Sequence, residues 1–273
     1  MHHLQRTIIE ELGVKPQVDP AQEVDRRTDF LAEYAKSAGA KGFVLGISGG
    51  VDSTLAGILA QMAAEKLRAQ GYEASFHALR LPHGVQHDED DAAEALSFIG
   101  PDHTHTMNIE DAVTGMDRAF HEGFGRRLAD YHRGNVKARM RMIAQYAVAA
   151  EHSALVVGTD HGAEAVTGFF TKHGDGGADV QPNFTLNKRQ VRLVLQHVGA
   201  PERLWAKPPT ADLLDENPGQ LDEVEMGISY EQIDDYLEGR EIDPGAAAHL
   251  EKLYHRSRHK RTTAPTLLDD WWK

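Results

Sequence analysis

Residues 43–53 read FVLGISGGVDS. Phe43 to Ile47 is a short apolar run of strand length. It is followed by the pair Gly49-Gly50 and then by Thr54-Leu-Ala-Gly-Ile-Leu-Ala-Gln-Met62, which reads as a helix. Strand, tight turn and helix therefore follow one another within some twenty residues. Two glycines without Cβ let the backbone turn sharply and come close to a bulky anion. The amides that open the following helix point toward that anion, and the helix dipole favours negative charge there. Ser48 and Ser53 add hydroxyl donors. Asp52 would repel a bare phosphate, so it calls for a hard cation between carboxylate and phosphate, as Mg²⁺ is commonly held. The plainer reading is a glycine-containing strand–helix turn with Asp52 as an N-terminal cap. No Gly-Lys-Ser/Thr follows, which excludes a Walker A loop, and the glycine spacing does not match a dinucleotide fingerprint.

The same alternation continues along the chain. Leu4, Ile8 and Leu12 repeat at helical spacing; Asp19 and Pro20 look like N-cap and first residue of a second helix carrying Val24, Leu31 and Tyr34. A strand is expected over Ser75–Leu81, a helix over Asp88–Phe98, a strand over His103–Ile109 and a helix from Glu110. Gly134–Glu151 is expected as a helix whose buried stripe is Val136, Met140, Ile143, Ala147 and Ala150. Leu155–Val157 reads as a buried strand turning at Gly158-Thr159-Asp160 into another helix. Strands alternating with helices predict an α/β fold: a three-layer, doubly wound, mostly parallel sheet flanked by helices. Such sheets bind ligands beyond the carboxyl ends of their strands, so the turns after Ile47 and Val157 are where a site belongs. Thr171–Asn183 and Lys207–Met226 lack periodicity and are expected to be loops that act as lids. From Asp243 a helix runs into the basic stretch Arg256–Arg261.

Composition limits the functions on offer. The chain has 273 residues, 29 Lys+Arg against 42 Asp+Glu, and a formal net charge of −13. Its pI near 5.6 argues against a general nucleic-acid surface, which relies on Lys and Arg to neutralise phosphates. No run reaches the roughly 18 apolar residues of a membrane helix, and the opening MHHLQRTIIEELG is no secretion signal, so no membrane partner and a cytoplasmic location are expected. There is no Cys, which excludes disulfides, thiolate metal sites and Cys nucleophiles. Sixteen His residues are scattered. His103 and His105 alternate as on one face of a strand, a spacing that hints at a metal but fits a half-exposed strand better.

SGGVDS resembles the pyrophosphate loop of the ATP pyrophosphatases, which split ATP to AMP and pyrophosphate while adenylating a substrate. Within that group the chain is similar to the ammonia-dependent NAD synthetases. The likeness extends through RLPHGVQHDEDDA from Arg80, GNVKARMRMIAQYA from Gly134, GTDHGAEAVTGFFTKHGDGGAD from Gly158, LNKRQVR from Leu186, KPPTADL from Lys207, ISYEQIDDYLEG from Ile228 and HKR from His259. These stretches occur in the family's order and cover nearly the whole chain; Val51, where many relatives carry Gln or Ile, is a departure.

The resemblance implies an organisation, a reaction and a set of residue roles. The chain would be a single NAD synthetase domain over residues 1–273, with N-terminal helices, a C-terminal helical tail and no glutaminase domain. It would be a ligase that amidates deamido-NAD to NAD with ammonia and ATP through an adenylate intermediate, and it would act as a homodimer. Gly46, Ile47, Ser48, Gly49, Gly50, Val51, Asp52 and Ser53 would cradle the ATP phosphates, with Arg80, Thr159, Lys188 and Thr210 also on ATP. Asp52 and Glu164 would hold Mg²⁺. Arg139, Lys172, Asp179, His259 and Lys260 would bind deamido-NAD, with one of Phe169 and Phe170 on the nicotinate ring. Asp175, Lys188 and Asp52 would be catalytic.

Each role has a plainer competitor. Glu164 could be an exposed helix acid. Of Lys137, Arg139 and Arg141 at least one is expected to be merely solvated, and the run Arg256–Arg261 could be a solvated face. Lys188 and Arg189 open a helix, where the dipole disfavours cations, so a ligand is the expected reason for both. Other readings are a different ATP pyrophosphatase, of GMP-forming or tRNA-modifying type, and a non-catalytic nucleotide-binding protein. Asp52, Glu164 and Lys188 together argue against the last, since mere retention of a nucleotide needs no metal.

Overall fold

A computed structural model describes residues 2–84, 89–210, 215 and 219–272. In chain order its elements are α1 (His3–Leu12), α2 (Pro20–Ala38), β1 (Gly42–Gly46), α3 (Val51–Ala69), β2 (Ser75–Arg80), α4 (Glu89–Ile99), β3 (His103–Thr106), α5 (Glu110–Phe124) and α6 (Asp130–His152). There follow β4 (Leu155–Val156), α7 (Gly162–Thr167), α8 (Lys188–His197), α9 (Glu202–Ala206), α10 (Asp222–Met226), α11 (Tyr230–Leu237), α12 (Pro244–Arg256) and α13 (Arg258–Arg261). The strands form a parallel sheet in the order β3-β2-β1-β4, with Val44 opposite both His77 and Val156. β2 and β4 flank β1 on opposite sides, so the chain switches direction of travel beside β1. A crevice at the carboxyl ends of β1 and β4 results from that order.

Strand alternation divides the core into two layers. Phe43, Leu45, Phe76 and Ala78 pack against α2, α3 and α8, in one cluster with Leu31, Leu55, Leu59 and Val191. Val44, Leu79 and Val156 face the other way, toward Val113 of α5 and Ala144 and Ala149 of α6. The three-layer α/β arrangement is thus the one expected from the sequence. A third cluster joins the two ends of the chain: Ile8 and Leu12 of α1 meet Val166 of α7, Ile233 and Tyr236 of α11, and Leu250 and Tyr254 of α12. No helix among the described residues is long and apolar enough to cross a membrane.

Local chemistry places most boundaries. Asp19 caps α2, its Oδ1 accepting from the amides of Ala21 and Gln22 at 2.9 and 3.1 Å, with Pro20 as the first helical residue. α3 begins at Val51, inside SGGVDS, earlier than the expected Thr54. β3 ends at Thr106 instead of Ile109. Its ladder on β2 stops at the pair Arg80–Thr106, and two residues further on Pro82 has no N–H to donate. α4 runs on to Ile99, and Asp88 lies outside the described residues. The third residue of the expected strand Leu155–Val157 makes only a single parallel bridge, to Val180.

Two expectations are corrected. Of the stripe Val136, Met140, Ile143, Ala147 and Ala150 on α6, only Val136 and Met140 pack against the core. Ile143 is 52% exposed and Ala147 and Ala150 are not buried either, whereas Gly134, Lys137, Ala138, Ala144 and Ala149 are. Small and polar residues on the inner face, such as Gly134 and Gln145, let α6 approach the sheet; Gln145 Oε1 accepts the Gly46 amide at 2.8 Å. The most apolar line on the helix is therefore not its innermost one. Secondly, Lys207–Met226 is not irregular throughout, for it contains α10 and an antiparallel bridge between Thr210 and Leu221. Thr171–Asn183 is a series of turns, as expected, but is tied down at both ends. The Thr171 amide donates to Asp175 at 2.9 Å and the Asp179 amide to Val156 O at 2.9 Å.

Candidate active site

A cleft of about 360 Å³ opens where β1 and β4 end. One wall is the turn 46–53. Gly49 adopts φ +78°, and a Cβ there would lie 2.6 Å from the Ala92 amide nitrogen and from the Asp91 carbonyl carbon, so only glycine fits. The Ser48 and Ser53 hydroxyls are 3.0 Å apart, and Ser53 Oγ donates to Gly50 O at 3.2 Å. The Val51 side chain turns into the core at 3% exposure.

Beneath the loop four side chains converge. Asp52 of α3 lies 2.7 Å from Lys188 Nζ of α8 and 3.3 Å from His161 Nε2, while His161 is 3.6 Å from Glu164 of α7. Lys188 also sits over the Tyr230 ring, 4.9 Å from its centroid. A lysine at a helix N-terminus opposes the dipole. Here the Asp234 carboxylate offsets it, accepting the Lys188 and Arg189 amides at 3.0 and 2.7 Å, and an Asn187–Gln190 capping box closes the turn.

Electrostatics separates the two acids. Burial pushes Asp52 upward, but Lys188 and then His161 outweigh it and hold the carboxyl well below its usual range. Glu164 is raised well above its usual value, by burial first and then by Asp52. Lys188 is raised, since Asp52 and Glu164 overcome the desolvation that lowers it. His161 is lowered by burial. Asp52 Oδ1 is buried with only the His161 Nε2 beside it, at 3.3 Å and without good hydrogen-bond geometry. The donor atoms of Asp52, His161 and Glu164 lie within 4.8 Å of one another. An unsatisfied carboxylate oxygen beside a second carboxyl that cannot readily ionise alone is the donor set a hard divalent cation fits.

The cleft brings together Gly46, Ile47, Ser48, Gly50, Val51, Asp52, Ser53, Thr159, Glu164, Asp175, Lys188, Thr210 and Lys260 of the residues singled out from the sequence, with both Phe169 and Phe170. Arg80 stands outside its lining and pairs with Glu89 at 3.1 Å. Arg139, Lys172 and His259 also stand outside its lining and form a chain of their own: Arg139 donates to Lys172 O at 3.2 Å, and Lys172 to His259 O at 2.6 Å. Lys260 Nζ donates to Gly168 O and Phe170 O at 2.8 and 2.6 Å. That approach depends on Gly168, where a Cβ would come within 2.1 Å of Ser257 Cβ. Asp179 turns back to the sheet, accepting the Val156 amide at 2.8 Å and the Tyr146 hydroxyl at 3.2 Å.

Arg189 is a correction. It pairs with Asp235 and Glu238 at 2.9 and 2.8 Å, so α11 and the residue that caps it account for its charge without a ligand. Of the α6 trio, Lys137 pairs with Asp215, Arg141 donates to Leu81 O at 3.1 Å, and Arg139 is the exposed one.

Sequence reasoning missed His161, fully buried between the acids, although a His three residues before Glu164 at a helix start was the available signal. It missed Asn183, whose Nδ2 donates to Asp52 O at 2.9 Å. It also missed Asp160, pushed up to about 8 by burial and then by the charge of Asp175.

With that geometry in place, comparison with known proteins is specific. The sequence model of NAD synthase matches residues 23–264. The NH(3)-dependent NAD(+) synthetase of Bacillus velezensis is 57% identical over 270 residues, covering 99% of each chain. Among solved structures, NAD+ synthetase from Burkholderia pseudomallei superposes with a TM-score of 0.82 at 48% identity, over 94% of this chain and 95% of its own. NMN synthetase from Francisella tularensis does so with a TM-score of 0.80 at 33% identity, over 92% and 99%. Matches of that extent leave one assignment: the chain belongs to the NAD synthase family.

Proposed function

We propose that this protein is an ammonia-dependent NAD synthetase, a ligase that amidates deamido-NAD with ATP and ammonia and releases AMP and pyrophosphate. The observation that carries the reading is the convergence of Lys188, Asp52 and Glu164 beneath the SGGVDS turn. A carboxylate does not accept ammonia directly, because oxide would have to leave. In the first step a nicotinate carboxylate oxygen attacks the α-phosphorus; that P–O bond forms, the bond to the β-phosphate breaks, and pyrophosphate leaves with the electron pair. Asp52 and Glu164 would hold Mg²⁺, which supplies positive charge against the departing pyrophosphate. Lys188 and the turn amides share that charge. In the second step ammonia attacks the acyl carbon and AMP leaves, its phosphate carrying the electron pair. Asp175, raised from the usual carboxylate value chiefly by burial, faces the cleft, where it would orient ammonia and take its proton.

Lys260 in the cleft lining, with Arg139, Lys172 and His259 beyond it, supplies positive charge for the dinucleotide, and Phe169 and Phe170 offer aromatic faces to the nicotinate ring. Arg80, Thr159 and Thr210 complete the ATP side. Asp179 acts in deamido-NAD binding by holding the Tyr146–Val156 corner. We place the reaction in the cytoplasm, within a single catalytic domain over residues 1–273. We also propose a homodimer, on the apolar side chains that α5 and α6 leave outward: Met116, Phe124 and Ile143.

The test is turnover of purified protein with deamido-NAD, ATP, Mg²⁺ and ammonium chloride, with NAD, AMP and pyrophosphate measured. NAD and AMP should form in equal amounts, and Asp52→Asn should lose several orders of magnitude in pyrophosphate release. Ammonium-free glutamine should give no NAD, because these residues contain no Cys to hydrolyse it. Nicotinate mononucleotide is the control substrate, given the NMN synthetase among the solved relatives. Bound ATP without turnover, or comparable NAD from glutamine, would overturn the assignment.

A further inference from the structure

Four imidazoles meet at the sheet edge, away from the cleft. His77 of β2 is 3% exposed and faces the α6 layer. His103 on β3 stacks on it with centroids 4.5 Å apart, and His152, the last residue of α6, stacks on it at 4.0 Å. His77 Nδ1 lies 3.2 Å from His105 Nε2, and His77 Nε2 lies 3.0 Å from Ser75 Oγ. Donor atoms of His77, His105 and His152 all lie within 4.8 Å of one another. None of these residues lines the cleft.

We propose that His77, His105 and His152 form a binding site for a borderline divalent transition-metal ion of the Zn²⁺ kind. Two lines of geometry converge on it. Two imidazole nitrogens bound to one tetrahedral ion at about 2.05 Å stand about 3.3 Å apart, which is close to the His77–His105 separation. Metal-bound His residues characteristically give their other N–H to an acceptor, and Ser75 Oγ is in place on Nε2 to leave Nδ1 with its lone pair toward His105. An all-imidazole set selects Zn²⁺, Cu²⁺ or Ni²⁺ over Mg²⁺, which prefers oxygen. The site is thereby distinct in chemistry from the Asp52–Glu164 pair.

His105 is half-buried and His152 exposed, and a cavity walled by both of them, Met107 and Glu151 opens beside them. A fourth position is therefore open to water. His152 must tilt off the His77 ring to aim a nitrogen at the ion, which exchanges a stacking contact for a coordinate bond. The consequence is mechanical: one ion would tie β2, the edge strand β3 and the end of α6 together.

The test uses full-length protein freed of metal by chelation and titrated with Co²⁺, whose visible bands report ligand number, then with Zn²⁺ in competition. One equivalent of Co²⁺ with a four-coordinate spectrum, displaced by Zn²⁺, is expected. His105→Gln and His152→Gln should each abolish the band, and Ser75→Ala should weaken binding by about 10–100-fold. Both His side chains reach solvent, so these variants should keep the wild-type circular dichroism and NAD formation. Glu164→Gln should keep the band. Absence of saturable binding at micromolar Co²⁺ or Zn²⁺ would overturn the site, as would a band that survives the His105→Gln/His152→Gln double variant or vanishes with Glu164→Gln.

Discussion

Gly49 couples two restrictions that a single methyl group would violate: a positive φ and a backbone contact with the start of α4. Gly49→Ala should cost about 1–2 kcal/mol from the backbone conformation alone, with more from the clash, and should raise the KM for ATP well above that for deamido-NAD. Thermal melting and initial rates over both substrates would check it; an unchanged KM for ATP contradicts the role given to the turn. Asp102 is a second informative residue. Burial raises its carboxyl, but the Phe76 amide, Arg68 and Gln61 outweigh that and hold it below its ordinary 3.8. A lowered folded-state value means that its stabilisation is present above about pH 4 and is lost as pH falls through the folded-state value. Asp102→Asn should therefore destabilise by about 1–2 kcal/mol at pH 7, and the gap to the parent protein should shrink in melts below pH 4. The residue scale is also where the sequence was most and least legible. Asp52 was legible from the chemistry of its turn, whereas Glu164 and Lys188 were reached through the family resemblance of the motifs that carry them. Asp160 and Asn183 were missed because they act through neighbours distant in the chain, His161 despite the local signal of Glu164 three residues on, and Arg189 was misread because its acidic partners lie 46 and 49 residues further on.

The elements explain how the site is held. Arg27, on α2, is 4% exposed and pairs with Glu23 at 2.8 Å; it also donates to Pro182 O, to Phe184 O at 2.8 Å and to Thr185 Oγ1 at 3.0 Å. Between those carbonyls sits Asn183, which holds Asp52 O and, at 3.4 Å, Thr159 O. A helix remote from the cleft thus fixes the segment that braces both phosphate-side turns. Arg27→Met should cost about 3–5 kcal/mol by leaving Glu23 buried with weaker partners. The double variant Glu23→Leu/Arg27→Met should recover much of that stability while the KM for ATP stays raised, because the carbonyl brace is still missing. Full recovery of both would reduce Arg27 to a packing residue. Strands and helices were legible from periodicity because α/β alternation repeats one local rule. The face of α6 was not, because its inner surface is set by closeness of approach and by the Gln145–Gly46 contact, which hydropathy does not register.

At the scale of the whole molecule the outward apolar residues of α5 and α6 are the feature a monomer would not favour. Sedimentation should give twice the 30.2 kDa chain mass, and Ile143→Glu combined with Phe124→Glu should halve it. A monomer at micromolar concentration in the parent protein removes the homodimer. The layering of helices on a parallel sheet was foreseeable, whereas the strand order and the joining of α1 to α11 and α12 were not, since no local pattern signals which distant element will lie beside another. That joining and the Asp52–Lys188 pair share a property with a kinetic consequence. The pair spans 136 residues, the Asn183–Asp52 bond 131, and the Gln5–Tyr236 bond 231. Contacts of such separation must wait for the closure of long loops, whereas helices form from local ones. During refolding from denaturant, ellipticity should return ahead of nucleotide binding, leaving an interval in which the chain is helical but has nowhere to put ATP. Anything that binds the cleft acts only after that interval, so ATP should slow unfolding far more than it speeds refolding.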